Sequence, residues 1–277
     1  MIEAAKFIDK PITMKRTHVW GRVAAIARNA FREAVRDRVL YNLVFFALLM
    51  IASAVIVGQI SMDIETIVMV SLGLSAISLI GLLIAVFTGV GLVSKEIDKR
   101  TLHAVLAKPL RRWEFLLGKF TGLVLTLTVN TAAMAAGLFL ALWFVKHSLV
   151  RGDTVVLVAV YFILLKLTLV VALAMMFSCF TSPLLAILFT SGLYVAGLFV
   201  AQLRSLQLTQ MSAHTQKFFS ILSYLLPNFE NYDVMGAAAH GRAISRSLIL
   251  HDTLYTALYC AIVLSVAAVI FSRKDLK

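Results

Sequence analysis

Apolar residues fill this chain in long unbroken blocks, with polar residues gathered between them. A helix rises 1.5 Å per residue, so about 20 apolar residues cross a hydrocarbon layer about 30 Å thick. Six blocks meet or approach that length: Tyr41–Ile60, Thr66–Val93, Phe120–Val145, Thr154–Phe180, Pro183–Leu203 and Thr253–Phe271. The pattern predicts six membrane-spanning helices and no soluble domain beyond Leu40.

Ahead of the first block, HVWGRVAAIARNAFREAVRDRVL repeats at helical rather than strand spacing. Arg22, Arg28, Asn29, Arg32, Glu33, Arg36 and Asp37 share one side, and Trp20, Val23, Ala24, Ala27, Phe31, Ala34 and Val35 share the other. Two placements suit such a segment. It can lie at the headgroup boundary with Trp20 at the water interface, or it can pack against a soluble partner.

Composition agrees with the block pattern: 61% of the 277 residues are hydrophobic and 14% are charged, against about one quarter charged in soluble domains. The net charge of +12 raises the question of nucleic acid. The basic residues flank apolar blocks, however, and are not interleaved with aromatics on a polar module, so no nucleic-acid partner is expected. Their distribution instead predicts orientation. Nineteen Lys and Arg residues lie in the arm before Tyr41, the connector after the second block and the C-terminus; six lie in the intervening loops. The positive-inside rule then puts both termini and the connector in the cytoplasm, with the chain multi-pass in the cytoplasmic membrane. The start, MIEAAKFIDKPITMKR, lacks the apolar core of a secretory signal. The organisation expected is a cytoplasmic arm with an interfacial helix over 1–40, then a transmembrane domain over 41–277 that includes a connector at 94–119 and an external segment at 204–252.

Candidate chemistry is sparse. Cys179 and Cys260 both fall inside apolar blocks and read as packing residues. The histidines have no HxxxH or HExxH spacing, and "SLGLSA" lacks the glycine elbow of a serine nucleophile, so no catalytic or metal site is expected. Gly118-Lys119 fails as a phosphate loop, with Trp113 five positions before the glycine and Phe120 in the place of the Ser or Thr that holds magnesium. The chain therefore binds no cofactor of its own, and any ATP with its magnesium belongs to another chain. Ser71 and Ser75, Ala132 and Ala136, and Gly192 and Ala196 are small pairs four apart that predict helix seams. Lys166 is the one charge placed deep within a predicted span. It is either a functional cation or a residue satisfied by backbone carbonyls or Thr168.

The densest polar stretch is GLVSKEIDKRTLHAVLAKPLRRWEFLLGKF, Gly91 to Phe120. Glu96 and Arg100 have the favourable i, i+4 spacing for a short helix. Pro109 disfavours helical geometry at Lys108. Trp113 and Phe115 suit the membrane interface, and the whole reads as a charged helical elbow. These residues, ExxxRTLxxxLAKPxxRWEFLLGK, resemble the cytoplasmic connector of permease subunits of type-2 ABC exporters, closest to the subgroup of copper-enzyme maturation permeases. Many members have Gly where Arg100 stands.

The resemblance implies an all-α integral membrane protein of six transmembrane helices, with an N-terminal interfacial helix and a cytoplasmic coupling helix. It also implies a non-catalytic subunit that pairs with a second permease subunit, as a homodimer or heterodimer, and docks on an ABC ATP-binding subunit. Glu96, Arg100 and Thr101 would lie at that contact, while Pro109, Arg112, Gly118 and Lys119 would shape the return to the third span. The family further implies gate helices between the fifth and sixth spans, which makes Leu226, Pro227, Asn228 and Phe229 outer-gate candidates; a capping loop is the alternative. The function implied is ATP-driven export of a cargo whose identity the sequence leaves open. The rival is a mechanical transmitter or scaffold, driven by the same ATPase, through which nothing passes.

Overall fold

The computed structural model describes residues 19–33, 45–46, 49, 65–98, 112–146, 154–200 and 226–273. Its elements are α1 (19–33), α2 (Glu65–Asp98), α3 (Arg112–Lys146), α4 (Thr154–Ser178), α5 (Pro183–Leu198), a 3-10 turn at Glu230–Tyr232, α6 (Met235–Ala239) and α7 (Arg246–Arg273). Helices α2, α3, α4 and α7 are each long and apolar enough to cross a membrane, and α5 is a shorter apolar helix. The chain is an all-α integral membrane protein. Most of the predicted first span lies outside the described residues. Its Phe46 is buried against Gly137 of α3.

Helix α4 is the central post, packed against α2, α3, α5, α6 and α7. From Leu169 to Met175 every side chain on it is buried, so it is enclosed on all sides by protein. The outer helices keep one face for lipid. Leu254, Leu258, Ile262, Val266 and Val269 form an exposed apolar stripe along α7, and Leu72, Leu79, Leu83 and Phe87 expose another on α2. Threonines within the helices do not disturb this arrangement: Thr126, Thr131 and Thr168 donate to the carbonyl four residues earlier.

Contacts between helices fix their relative directions. Ser78 meets Lys166 and Val90 meets Ser178, so α2 and α4 run parallel. Tyr161 meets Thr253 and Cys260 lies beside the carbonyl of Thr168, so α7 runs with them. Gly73 against Leu138, and Phe115 stacked on Phe271 at 6.3 Å, set α3 the opposite way. Helix α5 turns back after Ser178 through a tight corner, where Thr181 donates to the carbonyl of Phe177 and Pro183 occupies the first turn, which needs no N–H. The near end of α3, the far ends of α2 and α7, and α1 therefore gather at one end of the bundle, called here the connector end.

Close approach in lipid depends on small residues, since burial of apolar surface drives nothing there. The seams are not the expected ones. Ser75, Ala132 and Ala136 are exposed, and a side chain at Gly192 would meet nothing within 4 Å. Gly73, Gly81 and Gly89 of α2 serve instead, against Leu138, Leu167 and Ala174. The small pairs of the sequence stand four apart, whereas these glycines recur every eight residues.

Candidate functional site

Helix α3 begins at Arg112, eight residues before the predicted third span. Its 35 residues reach about 52 Å, well beyond an apolar layer of about 30 Å. The surplus projects at the connector end, where α1 packs along it. Glu114, Gly118 and Gly122 are four apart and share one face. Val23 and Ile26 lie on Gly118, and Ala27 and Ala30 on Gly122. A Cβ on Gly118 would come within 2.7 Å of Ile26, and one on Gly122 within 2.6 Å of the carbonyl oxygen of Ala27.

Charge completes the joint. Arg22 donates from Nε to Oε2 of Glu114 (3.0 Å) and from Nη2 to Oε1 (2.9 Å), a two-point grip on a carboxylate that is 0% exposed. The hydrogen bond to Glu114 raises the Arg22 guanidinium above its ordinary value, so its charge is permanent. Lys119, also buried, lies 3.7 Å from Glu33 and 5.7 Å from the centre of the Phe115 ring. Helix α1 is thus clamped to the root of α3. Val23 and Ala27 of the predicted apolar side form the contact together with Ile26 and Ala30, while Trp20 of that side is 78% exposed and Ala24 is exposed as well.

The sequence-predicted residues divide among three places. Glu96 belongs to the last turns of α2, while Arg100, Thr101 and Pro109 lie outside the described residues. Arg112, Gly118 and Lys119 fall in the first turns of α3, the latter two in the clamp. Lys166 lies at the centre of α4, 4% exposed, and donates to Ser78 Oγ at 2.6 Å, 6.0 Å from the centre of the Tyr194 ring.

Leu226, Pro227, Asn228 and Phe229 are at the opposite end, all buried. Phe229 donates its N–H to the carbonyl of Gly197 (3.1 Å), and its ring lies 5.0 Å from that of Tyr194. Gly197 permits this approach, because a Cβ there would come within 2.5 Å of both Phe229 and the Pro227 carbonyl oxygen. Asn228 donates its backbone N–H to Tyr255 and its side-chain amide to Asn231. Tyr232, 0% exposed, shares a 2.7 Å hydrogen bond with Thr256. Helix α6 follows, against α2 and α4, and ends in a Schellman turn: Gly241 takes φ +64°, its N–H bonds the Ala238 carbonyl, and Arg242 bonds that of Ala237. The segment 226–241 is a plug inserted between α2, α4, α5 and α7.

Sequence reading missed Arg22, Glu114, Gly122, Ser78 and Tyr194. One signal was available for the clamp, a glycine pair four apart preceded by a glutamate four earlier.

In class the chain is a polytopic helical membrane protein, with a clamped amphipathic helix at one end of the bundle and a folded plug at the other. The match to known families makes this specific: the pattern of the ABC-2 family transporter proteins covers residues 24–276, and the chain belongs to that family. No curated protein matches it.

Proposed function

We propose that this chain is the permease subunit of an ATP-driven exporter in the cytoplasmic membrane, with both termini and the connector on the cytoplasmic side. Two permease subunits associate, each docks on a separate ATP-binding subunit that holds ATP and magnesium, and hydrolysis there drives export. Glu96, Arg100 and Thr101 meet the ATPase, and Pro109 and Arg112 turn the chain back into α3. The resemblance of the connector to the copper-enzyme maturation subgroup belongs to this reading.

The observation that carries it is the clamp. Because α1 is fastened to α3 by the Arg22–Glu114 grip and the two-glycine seam, a push arriving through the connector moves two elements together. A rigid joint of this kind transmits displacement, whereas a compliant one absorbs it. Opening toward one side or the other is then a two-state equilibrium biased by nucleotide in the partner.

The test is hydrolysis by the assembled complex. Glu96→Ala with Arg100→Ala should insert normally yet lose ATPase association or stimulation. Normal coupled hydrolysis in that variant removes their role, and failure of any ATP-binding subunit to co-purify with the native chain removes the reading itself.

A further inference from the structure

The buried ammonium of Lys166 is the most demanding group in the bundle. The apolar windows Thr154–Ser178 of α4 and Thr66–Leu92 of α2 centre on residues 166 and 79. Lys166 and its partner Ser78 are therefore close to the bilayer midplane, where an uncompensated charge is most expensive. Of its three N–H donors one goes to Ser78, and the Tyr194 ring gives a cation–π contact on another side. Both partners are neutral. Among the described residues no carboxylate lies within 4 Å of the ammonium.

The plug covers this spot. Phe229 closes on Tyr194, and Met235 Sδ lies 3.9 Å from Ser75 Oγ, about one turn of α2 from Ser78. Buried Phe229, Tyr232 and Val234 seat the plug, with hydrogen bonds at Gly197, Tyr255 and Thr256. Withdrawal of the plug would uncover Lys166. The ammonium would then need a counter-charge.

We propose that Lys166, with Ser78 and Tyr194, is a binding site for the anionic head of an amphiphile, such as a carboxylate or a phosphate ester. The apolar surroundings of α2, α4 and α5 accept the tail, and the point charge of lysine accepts an anion without demanding a planar, two-point partner. The inference rests on the permease reading for its purpose, but the binding itself requires no ATPase.

The test is thermal unfolding of the full chain, purified in a neutral detergent, with dodecyl phosphate, dodecanol or inorganic phosphate. Dodecyl phosphate should raise the Tm. Lys166→Met should shift the half-saturating concentration up by roughly tenfold or more, as expected for loss of one buried charge contact, while Lys166→Arg retains most of the response. Ser78→Ala gives a smaller loss, and Phe229→Ala, with its cover loosened, should saturate at lower concentration. An equal response in Lys166→Met overturns the site, as does no response in both the native chain and Phe229→Ala. A response to dodecanol equal to that of dodecyl phosphate shows tail binding alone and overturns it too. A response to inorganic phosphate that dodecyl phosphate does not exceed transfers the site to a water-soluble anion and overturns the amphiphile assignment. Anion binding by the purified chain, together with failure of any ATP-binding subunit to co-purify with it, would leave the site standing and remove the exporter reading.

Discussion

Arg22 holds both oxygens of Glu114, and Glu114 is wholly enclosed by protein. Removal of the arginine takes the two-point grip off a buried carboxylate, which is worse than removal of both. Arg22→Ala should lower ATPase stimulation by roughly tenfold, inside the range of ordinary coupling free energies. Arg22→Ala with Glu114→Gln should recover part of that loss, since the buried charge is gone with its grip. Arg22→Lys should not rescue fully, because an ammonium cannot reproduce the fork. Hydrolysis rates of the four complexes, measured side by side, decide the matter. Equal rates in all four would mean that the pair only decorates the joint.

The two-glycine seam makes a steric prediction. Gly122→Ala places a methyl group within 2.6 Å of a backbone oxygen of α1, which cannot rotate away. The seam must open, at a cost of about 1–3 kcal/mol for overpacking. Gly192→Ala, where nothing lies within 4 Å, should leave stability unchanged or slightly improved. Thermal unfolding of the two variants in detergent checks the contrast.

At the other end, Phe229→Ala removes a fully buried ring from between Gly197, Tyr194 and Tyr232. The loss should be about 3–5 kcal/mol, as for other large-to-small changes at buried aromatics. Tyr232→Phe removes only the hydroxyl contact with Thr256 and should cost about 1 kcal/mol. Denaturation of both variants, read with thiol labelling of the native buried Cys260, should show loosening graded in that order.

Asn130, in the middle of α3, is 1% exposed, and among the described residues neither atom of its amide has a hydrogen-bond partner. Gly73 opposite Leu138 puts it within about a turn of the level of Ser78 and Lys166. Asn130→Leu should therefore raise stability by about 1–3 kcal/mol, the desolvation cost of an unmatched polar group. The same variant should lower transport if the amide serves cargo. A fall in Tm would show that the amide is matched by a group from another chain.

Much of the fold was legible because membrane spans announce themselves through length and uniform apolarity. The central blocks at Thr66, Thr154 and Pro183 match α2, α4 and α5 to within a few residues. Boundaries shifted where a helix leaves the membrane. Arg112 to Lys119 looks like interface by composition, yet it continues α3, since hydrogen bonding along a helix does not stop at the headgroups. The clamp stayed hidden for a related reason. Arg22 is polar and was assigned to the solvated side of α1, and only the partner carboxylate, 92 residues away, gives it a buried role. Lys166 was visible because one cation in a span has no camouflage, but Tyr194 and Ser78 look like any other membrane-helix residues.

The central claim is that the connector between α2 and α3 receives its motion from a separate ATP-binding subunit. The direct measurement is site-specific photocrosslinking in the assembled complex, with a photoreactive residue in turn at Arg100, Thr101 and Asn231. The account predicts adducts to the ATP-binding subunit from Arg100 and Thr101 and none from Asn231. Adducts from Asn231, or none from either connector position, would contradict it.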